Sequence, residues 1–80
     1  MKGSVKMNYG TVTLDIEEFV KKKNISKTKL SYQTEIPIYQ LTKILKKEVT
    51  RLDFTTLAKL CTVLECDVSD ILTFEKPNND

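Results

Sequence analysis

The stretch Leu57-Ala58-Lys59-Leu60-Cys61-Thr62-Val63-Leu64-Glu65-Cys66-Asp67-Val68-Ser69-Asp70-Ile71-Leu72 decides the fold. Its first half places Leu57, Leu60, Cys61 and Leu64 at i, i+3, i+4 and i+7, the stripe that one face of an α-helix buries. Asp53, four residues earlier, is a helix N-cap, and Phe54 can pack as the chain enters the helix. Its second half has Asp67 as a further N-cap, Asp70 in the first turn, and Val68, Ile71 and Leu72 as the apolar side of a short closing helix. Pro77 and a polar run to Asp80 follow as a frayed tail.

Upstream, the spacing predicts a helix over Pro37–Lys47 that buries Leu41, Ile44 and Leu45. At about 100° per residue that face turns Tyr39, Lys43 and Lys46 directly away from the core, flanked by Gln40, Thr42 and Lys47, with no acid among them. Ile36 precedes Pro37, a pairing that disfavours α conformation at Ile36 and preorganises Pro37 for the first position of a new helix. A shorter helix therefore ends just before it, capped by Ser26 and facing inward at Leu30 and Thr34. Before that, Asp15 with Glu18 opens a helix carrying Ile16, Phe19 and Val20 inside. Lys21, Lys22 and Lys23 occupy its last turn, and Asn24 can take the left-handed conformation that stops it. Val5, Met7 and Tyr9 alternate with polar residues up to Gly10, which fits a short strand, an extended arm or disorder. Met7 is a second candidate start, in which case Met1–Lys6 is a dispensable extension.

With 80 residues, 40% hydrophobic and 30% charged, the chain suits one domain with a modest core. It has neither an apolar run of membrane-spanning length nor a secretory leader pattern at Met1, so a soluble cytoplasmic protein is expected. Cys61 and Cys66 lack zinc-site or C-x-x-C spacing and read as plain buried thiols. With no His, and two Gly that cannot form a phosphate-cradling loop, the sequence points to no enzyme, no metal and no cofactor. The net charge of +2 hides a sorted distribution: Met1–Arg51 holds eleven Lys/Arg against five Asp/Glu, whereas Leu52–Asp80 holds two against six. A basic half of +6 fits a polyanionic partner or a merely solvated surface.

Two short helices joined by a tight break, the second exposing polar and basic groups, followed by two amphipathic helices, fit the geometry that lays a recognition helix in the major groove. From about Leu14 to Phe74 the chain resembles the Cro/repressor-type (XRE-like) helix-turn-helix family of phages and bacteria. The likeness is carried by Ser26-Lys-Thr-Lys-Leu30-Ser31, by Ile36, Leu41 and Ile44, and above all by Leu57 to Leu72. Glu35 in the turn and Lys47 after the third helix stand where that family commonly has glycine, and Ser31 where alanine is usual. Neither Glu nor Lys tolerates positive φ as glycine does, so a different turn or helix end is expected there.

The resemblance implies an all-α, compact five-helix, lambda-repressor-like domain over 14–74, with residues 1–13 as an arm or short strand and 75–80 as a flexible tail. It implies that Ile38, Tyr39, Gln40 and Lys43 reach base edges, with Lys43 suited to guanine and Gln40 to adenine. Ser26 and Lys27 would meet phosphate at the start of the second helix, and Thr42, Lys46, Lys47, Thr50 and Arg51 would line the flanking backbone. The plainer alternatives are that Lys46 and Lys47 are solvated charges, that Tyr39 lies on the domain's own surface, and that Ile38 is half core. The implied partner is a near-palindromic double-stranded DNA operator bound by a homodimer, with no small-molecule substrate and no membrane. Dimer contacts are expected from Ile71, Leu72 and Phe74, or from pairing of the Val5–Tyr9 arm. The rival is a protein-interaction module on the same fold, such as an antitoxin or adaptor.

Overall fold

The computed structural model describes residues 9–77. Strand β1 (Thr11–Leu14) leads into four helices, α1 (Glu17–Lys23), α2 (Lys27–Thr34), α3 (Ile38–Leu45) and α4 (Phe54–Leu64), then a one-turn α5 (Val68–Ile71) and strand β2 (Leu72–Glu75). The five expected helices are all present. The expected strand or arm over Val5–Tyr9 lies outside the described residues except for Tyr9, which with Gly10 is irregular; a strand is formed by the following Thr-Val-Thr-Leu, whose β-branched residues suit extended backbone.

Its partner corrects the reading of the closing helix. α5 stops at Ile71, and Leu72 is already extended, with φ −106° and ψ 132°. Leu72-Thr-Phe-Glu pairs antiparallel with β1, Leu14 opposite Leu72 and Val12 opposite Phe74. Asp15 continues this seam by donating its N–H to the Ile71 carbonyl at 2.8 Å.

The core is one cluster to which every helix except α1 contributes a buried side chain; Phe19 and Val20 of α1, expected inside, are only partly buried against it. Ile16, Leu30, Leu41, Ile44, Leu60 and Ile71 are almost wholly sequestered, and Leu14, Ile36, Leu57 and Leu64 complete it. Burial of each such side chain stabilises the fold by roughly 1.5–3 kcal/mol before conformational entropy is subtracted. Because Ile71 lies in this core, it is not available as a dimer contact. Phe54 departs from expectation in the opposite sense: it does not pack on entry to α4 but is 88% exposed.

Caps follow the sequence closely. Ser26 Oγ accepts the Lys29 N–H at 3.1 Å, and Asp53 Oδ1 accepts the Thr56 N–H at 2.7 Å. Asp67 and Asp70 form a capping box in which the Asp67 N–H reaches Asp70 Oδ2 at 2.8 Å. Asp15 acts one residue early, accepting the Glu17 N–H at 3.1 Å while Ile16 occupies the N-cap position. Glu18 is not its partner and lies 3.8 Å from Lys22 instead. Pro37 is likewise the N-cap of α3, with ψ 144°, not its first helical residue.

Three helices have a C-cap with positive φ, Asn24 (52°), Glu35 (59°) and Glu65 (55°), and α3 is followed by one at Lys47 (62°), just after its C-cap Lys46; none is glycine. The altered turn expected at Glu35 and Lys47 is therefore absent. Both adopt the left-handed conformation at a steric cost of about 1–2 kcal/mol each, which the surrounding packing carries. Cys61 and Cys66 are half-buried free thiols against the core, linked by a Cys66 N–H to Cys61 carbonyl bond of 3.0 Å. Burial, with the neighbouring Cys61 thiol, pushes the Cys66 thiol up to about 11, so it remains protonated at neutral pH.

Candidate nucleic-acid interface

Two helices and the bend between them position the site. α2 ends at Glu35, and three side-chain bonds fix the angle at which α3 departs. Ser31 Oγ donates to the Ile36 carbonyl at 2.5 Å, Thr34 Oγ1 donates to the Leu30 carbonyl at 2.7 Å, and the Ile36 N–H donates to Thr34 Oγ1 at 3.3 Å. Thr34 is buried, so its hydroxyl must be satisfied within the protein, and these bonds do so at both its donor and acceptor. Ile36, buried just before Pro37, anchors the turn in the core.

α3 itself is held through its inner face. Leu41 is 0% exposed and Ile44 is also buried, whereas Tyr39, opposite them, is 68% exposed, Lys43 is exposed and Ile38 is partly so. No residue of α3 is acidic. The helix therefore presents an aromatic ring, an ammonium and, on its flank, the half-buried Gln40 amide to solvent.

The segment after α3 is folded back beside this outer face by the left-handed turn at Lys47. The Lys47 N–H reaches the Ile44 carbonyl at 3.0 Å and the Glu48 N–H reaches the Lys43 carbonyl at 2.9 Å, the paired bonds of a Schellman helix end. As a result Tyr39, Gln40, Lys43, Glu48, Thr50 and Arg51 line one shallow depression. Three residues expected to meet bases thus share a surface with two expected to meet backbone. Glu48 was not foreseen there. It lies three residues past Leu45, the last residue of α3, and only the turn at Lys47 brings it round; the habitual glycine at that position was the available signal.

The remaining candidates lie elsewhere on the same helix pair. On the α2 side, Lys27 Nζ donates to Thr42 Oγ1 at 3.1 Å, and Thr42 Oγ1 donates to the Ile38 carbonyl at 2.9 Å, so the start of α2 is tied to the middle of α3. Ser26 is exposed, but its hydroxyl is occupied with its own helix. At the far end Lys46 is exposed, whereas Lys47 Nζ lies 3.7 Å from Asp15 Oδ2, a surface pair worth at most about 1 kcal/mol. Among the described residues, Lys43, Lys46 and Arg51 form no ion pair. The described residues also contain no cluster of three His, Cys, Asp or Glu side chains able to hold a metal, and no helix long and apolar enough to cross a membrane.

Comparison with known proteins agrees with this geometry. The family model for the Cro/C1-type HTH DNA-binding domain matches residues 15–77. Among solved structures, the chain is similar to the crystal structure of the transcriptional regulator VanUg, at 18% identity and a TM-score of 0.68, over 94% of this chain and 99% of that one. At that identity the likeness is one of fold. No curated protein matches the sequence significantly.

Proposed function

Since the chain belongs to the Cro/C1-type HTH DNA-binding domain family, we propose that it reads a specific DNA sequence with the outer face of α3 and so regulates transcription. The observation that carries this reading is the exposed, acid-free face of α3, with Tyr39 and Lys43 free over a rigid apolar seat and Thr50 and Arg51 alongside. Placed in the major groove, Lys43 suits the O6 and N7 acceptors of guanine, Gln40 the N6 and N7 edge of adenine, and Ile38 and Tyr39 apolar base edges. Lys46, Thr50 and Arg51 would contact phosphates, as would Lys27 after exchanging its bond to Thr42 for one to the backbone. Ser26 marks where the free N–H groups of the first turn of α2 would approach phosphate, and Lys47 would share its charge between Asp15 and the DNA.

The proposed mode is that of a phage- or mobile-element-like repressor acting in the cytoplasm by occupancy, as a homodimer on a near-palindromic operator. The DNA-binding unit in this reading is residues 14–74, with an N-terminal arm and a short C-terminal tail. Selection of bound duplexes from a random pool, followed by mobility shifts in a salt series, tests it. Sequence-selective binding that weakens steeply with salt supports the reading. Salt-insensitive binding to a protein with no affinity for DNA would move it to an interaction module such as an antitoxin or adaptor.

A further inference from the structure

One charged group in the reading depression is left unused by the DNA reading, the Glu48 carboxylate. The Glu48 N–H bonds to the Lys43 carbonyl across the turn at Lys47, and in a helix end of this kind the two residues so joined stand side by side. Two other helix ends close with the same bond, Ile25 to Val20 at α1 and Cys66 to Cys61 at α4, and in both the joined pair is apolar and packs against the core. At α3 the pair is an ammonium and a carboxylate, both exposed, so it has no part in the core. Nor is it closed on itself: among the described residues Glu48 forms no ion pair with Lys43, Arg51 or any other cation. An unpaired carboxylate on a surface that faces a polyanion weakens binding everywhere unless a donor on the nucleic acid meets it.

We propose that Lys43 and Glu48 read one G·C base pair together, Lys43 the guanine and Glu48 the cytosine. The major-groove edge of that pair presents two acceptors, guanine N7 and O6, and then one donor, the cytosine N4 amino group. A cation and a carboxylate side by side match that order: the Lys43 ammonium donates to N7 and O6, and the Glu48 carboxylate accepts from N4. Every other pair fits less well. A·T sets the thymine O4 acceptor against the carboxylate, C·G sets the amino group against the ammonium and O6 against the carboxylate, and T·A offers the ammonium one acceptor where guanine offers two. Glu48 is thus a specificity-determining residue whose charge opposes wrong pairs as well as favouring the right one. The inference rests on the DNA reading of α3 and adds to it the cytosine half of the contact.

Selection of bound duplexes from a random pool by the full chain as wild type, Lys43→Ala and Glu48→Ala, followed by dissociation constants at fixed salt, tests it. A G·C pair required by the wild type is expected to lose its preference in both variants, at the same position. On the selected duplex Glu48→Ala should bind about tenfold more weakly, and on random DNA no more weakly than the wild type. Replacing that pair by A·T should cancel the loss, so that Glu48→Ala binds the altered duplex at least as well as the wild type does. Glu48→Gln, which keeps an acceptor oxygen without the charge, should fall between the two. Melting temperatures should be equal, because the Glu48 side chain is exposed and its main-chain bond survives each substitution. Parallel tightening of Glu48→Ala on every duplex, the mark of phosphate repulsion alone, would overturn the proposal, as would a preference lost at a different pair from that of Lys43→Ala. A wild type without sequence-selective, salt-sensitive binding contradicts the DNA reading itself, whereas selective binding whose base preferences Glu48→Ala leaves untouched contradicts this inference alone.

Discussion

The ends of α2 and α3 reach the same backbone conformation by different means. Glu35 and Lys47 have φ values of 59° and 62°, and both stand where glycine would be easiest. At the end of α3 the closure is made by main-chain groups, Glu48 N–H to Lys43 carbonyl and Lys47 N–H to Ile44 carbonyl. The ends of α1 and α4 show the same longer bond, Ile25 to Val20 and Cys66 to Cys61. At the end of α2 the corresponding amide, that of Ile36, is taken by the Thr34 hydroxyl, and Ser31 holds the Ile36 carbonyl. The turn that orients α3 is therefore written in two side chains, while the turn that brings Thr50 and Arg51 alongside it is written in the backbone. The first should be sensitive to sequence and the second tolerant.

Thr34→Val breaks the comparison most severely. Valine keeps the shape but strands the buried Ile36 N–H, so a loss of about 2 kcal/mol in unfolding free energy is expected, read by denaturant titration. Ser31→Ala removes one hydroxyl bond near the same bend and should cost about 1 kcal/mol in the same titration. Glu35→Gly and Lys47→Gly sharpen the comparison from the other side. Each relieves a left-handed residue, and after the entropy of glycine is counted each should gain roughly 0.5–1 kcal/mol. A loss at Lys47 alone would mean that its ion pair with Asp15 outweighs the relief. The smallest effect is expected at the start of α4, another end that depends on a side chain. Hydrogen bonds from the Thr56 hydroxyl and amide hold the Asp53 carboxyl below its ordinary 3.8. A carboxyl lowered in the folded state stabilises the fold above its unfolded value, and that contribution fades as pH falls below about 4. Asp53→Asn keeps a capping oxygen, so it should leave the melting temperature near neutral pH unchanged and flatten only its acid limb.

This contrast also explains what could be read from the residues beforehand. The helices were legible because Leu57, Leu60 and Leu64, or Leu41 and Ile44, repeat with a period set by the helix itself, and because Ser26, Asp53 and Asp67 are local signals. The ribbon was not, since Thr11–Leu14 and Leu72–Glu75 are four residues each and acquire their identity only by meeting across the whole chain. Leu72 could extend the stripe of α5 equally well, and the pairing decided otherwise. Phe54 was misplaced because periodicity gives a direction on a helix but not whether anything waits there. In the candidate site, the exposure of Tyr39 and Lys43 followed from the stripe on α3, whereas Glu48 in the depression and the Lys27–Thr42 bond depend on turn geometry and on contact between separate elements.

The central claim is that Lys43, on the free face of α3, distinguishes bases while Arg51, beside it, only grips the backbone. Dissociation constants of the wild type, Lys43→Ala and Arg51→Ala, measured over a salt series on a selected duplex and on random DNA, test it directly. Lys43→Ala is expected to lose about 1–3 kcal/mol on the selected duplex with little change on random DNA, and Arg51→Ala to weaken both alike and reduce the salt slope by about one. Equal losses from the two substitutions on both DNAs would contradict the assignment of α3 as the reading element.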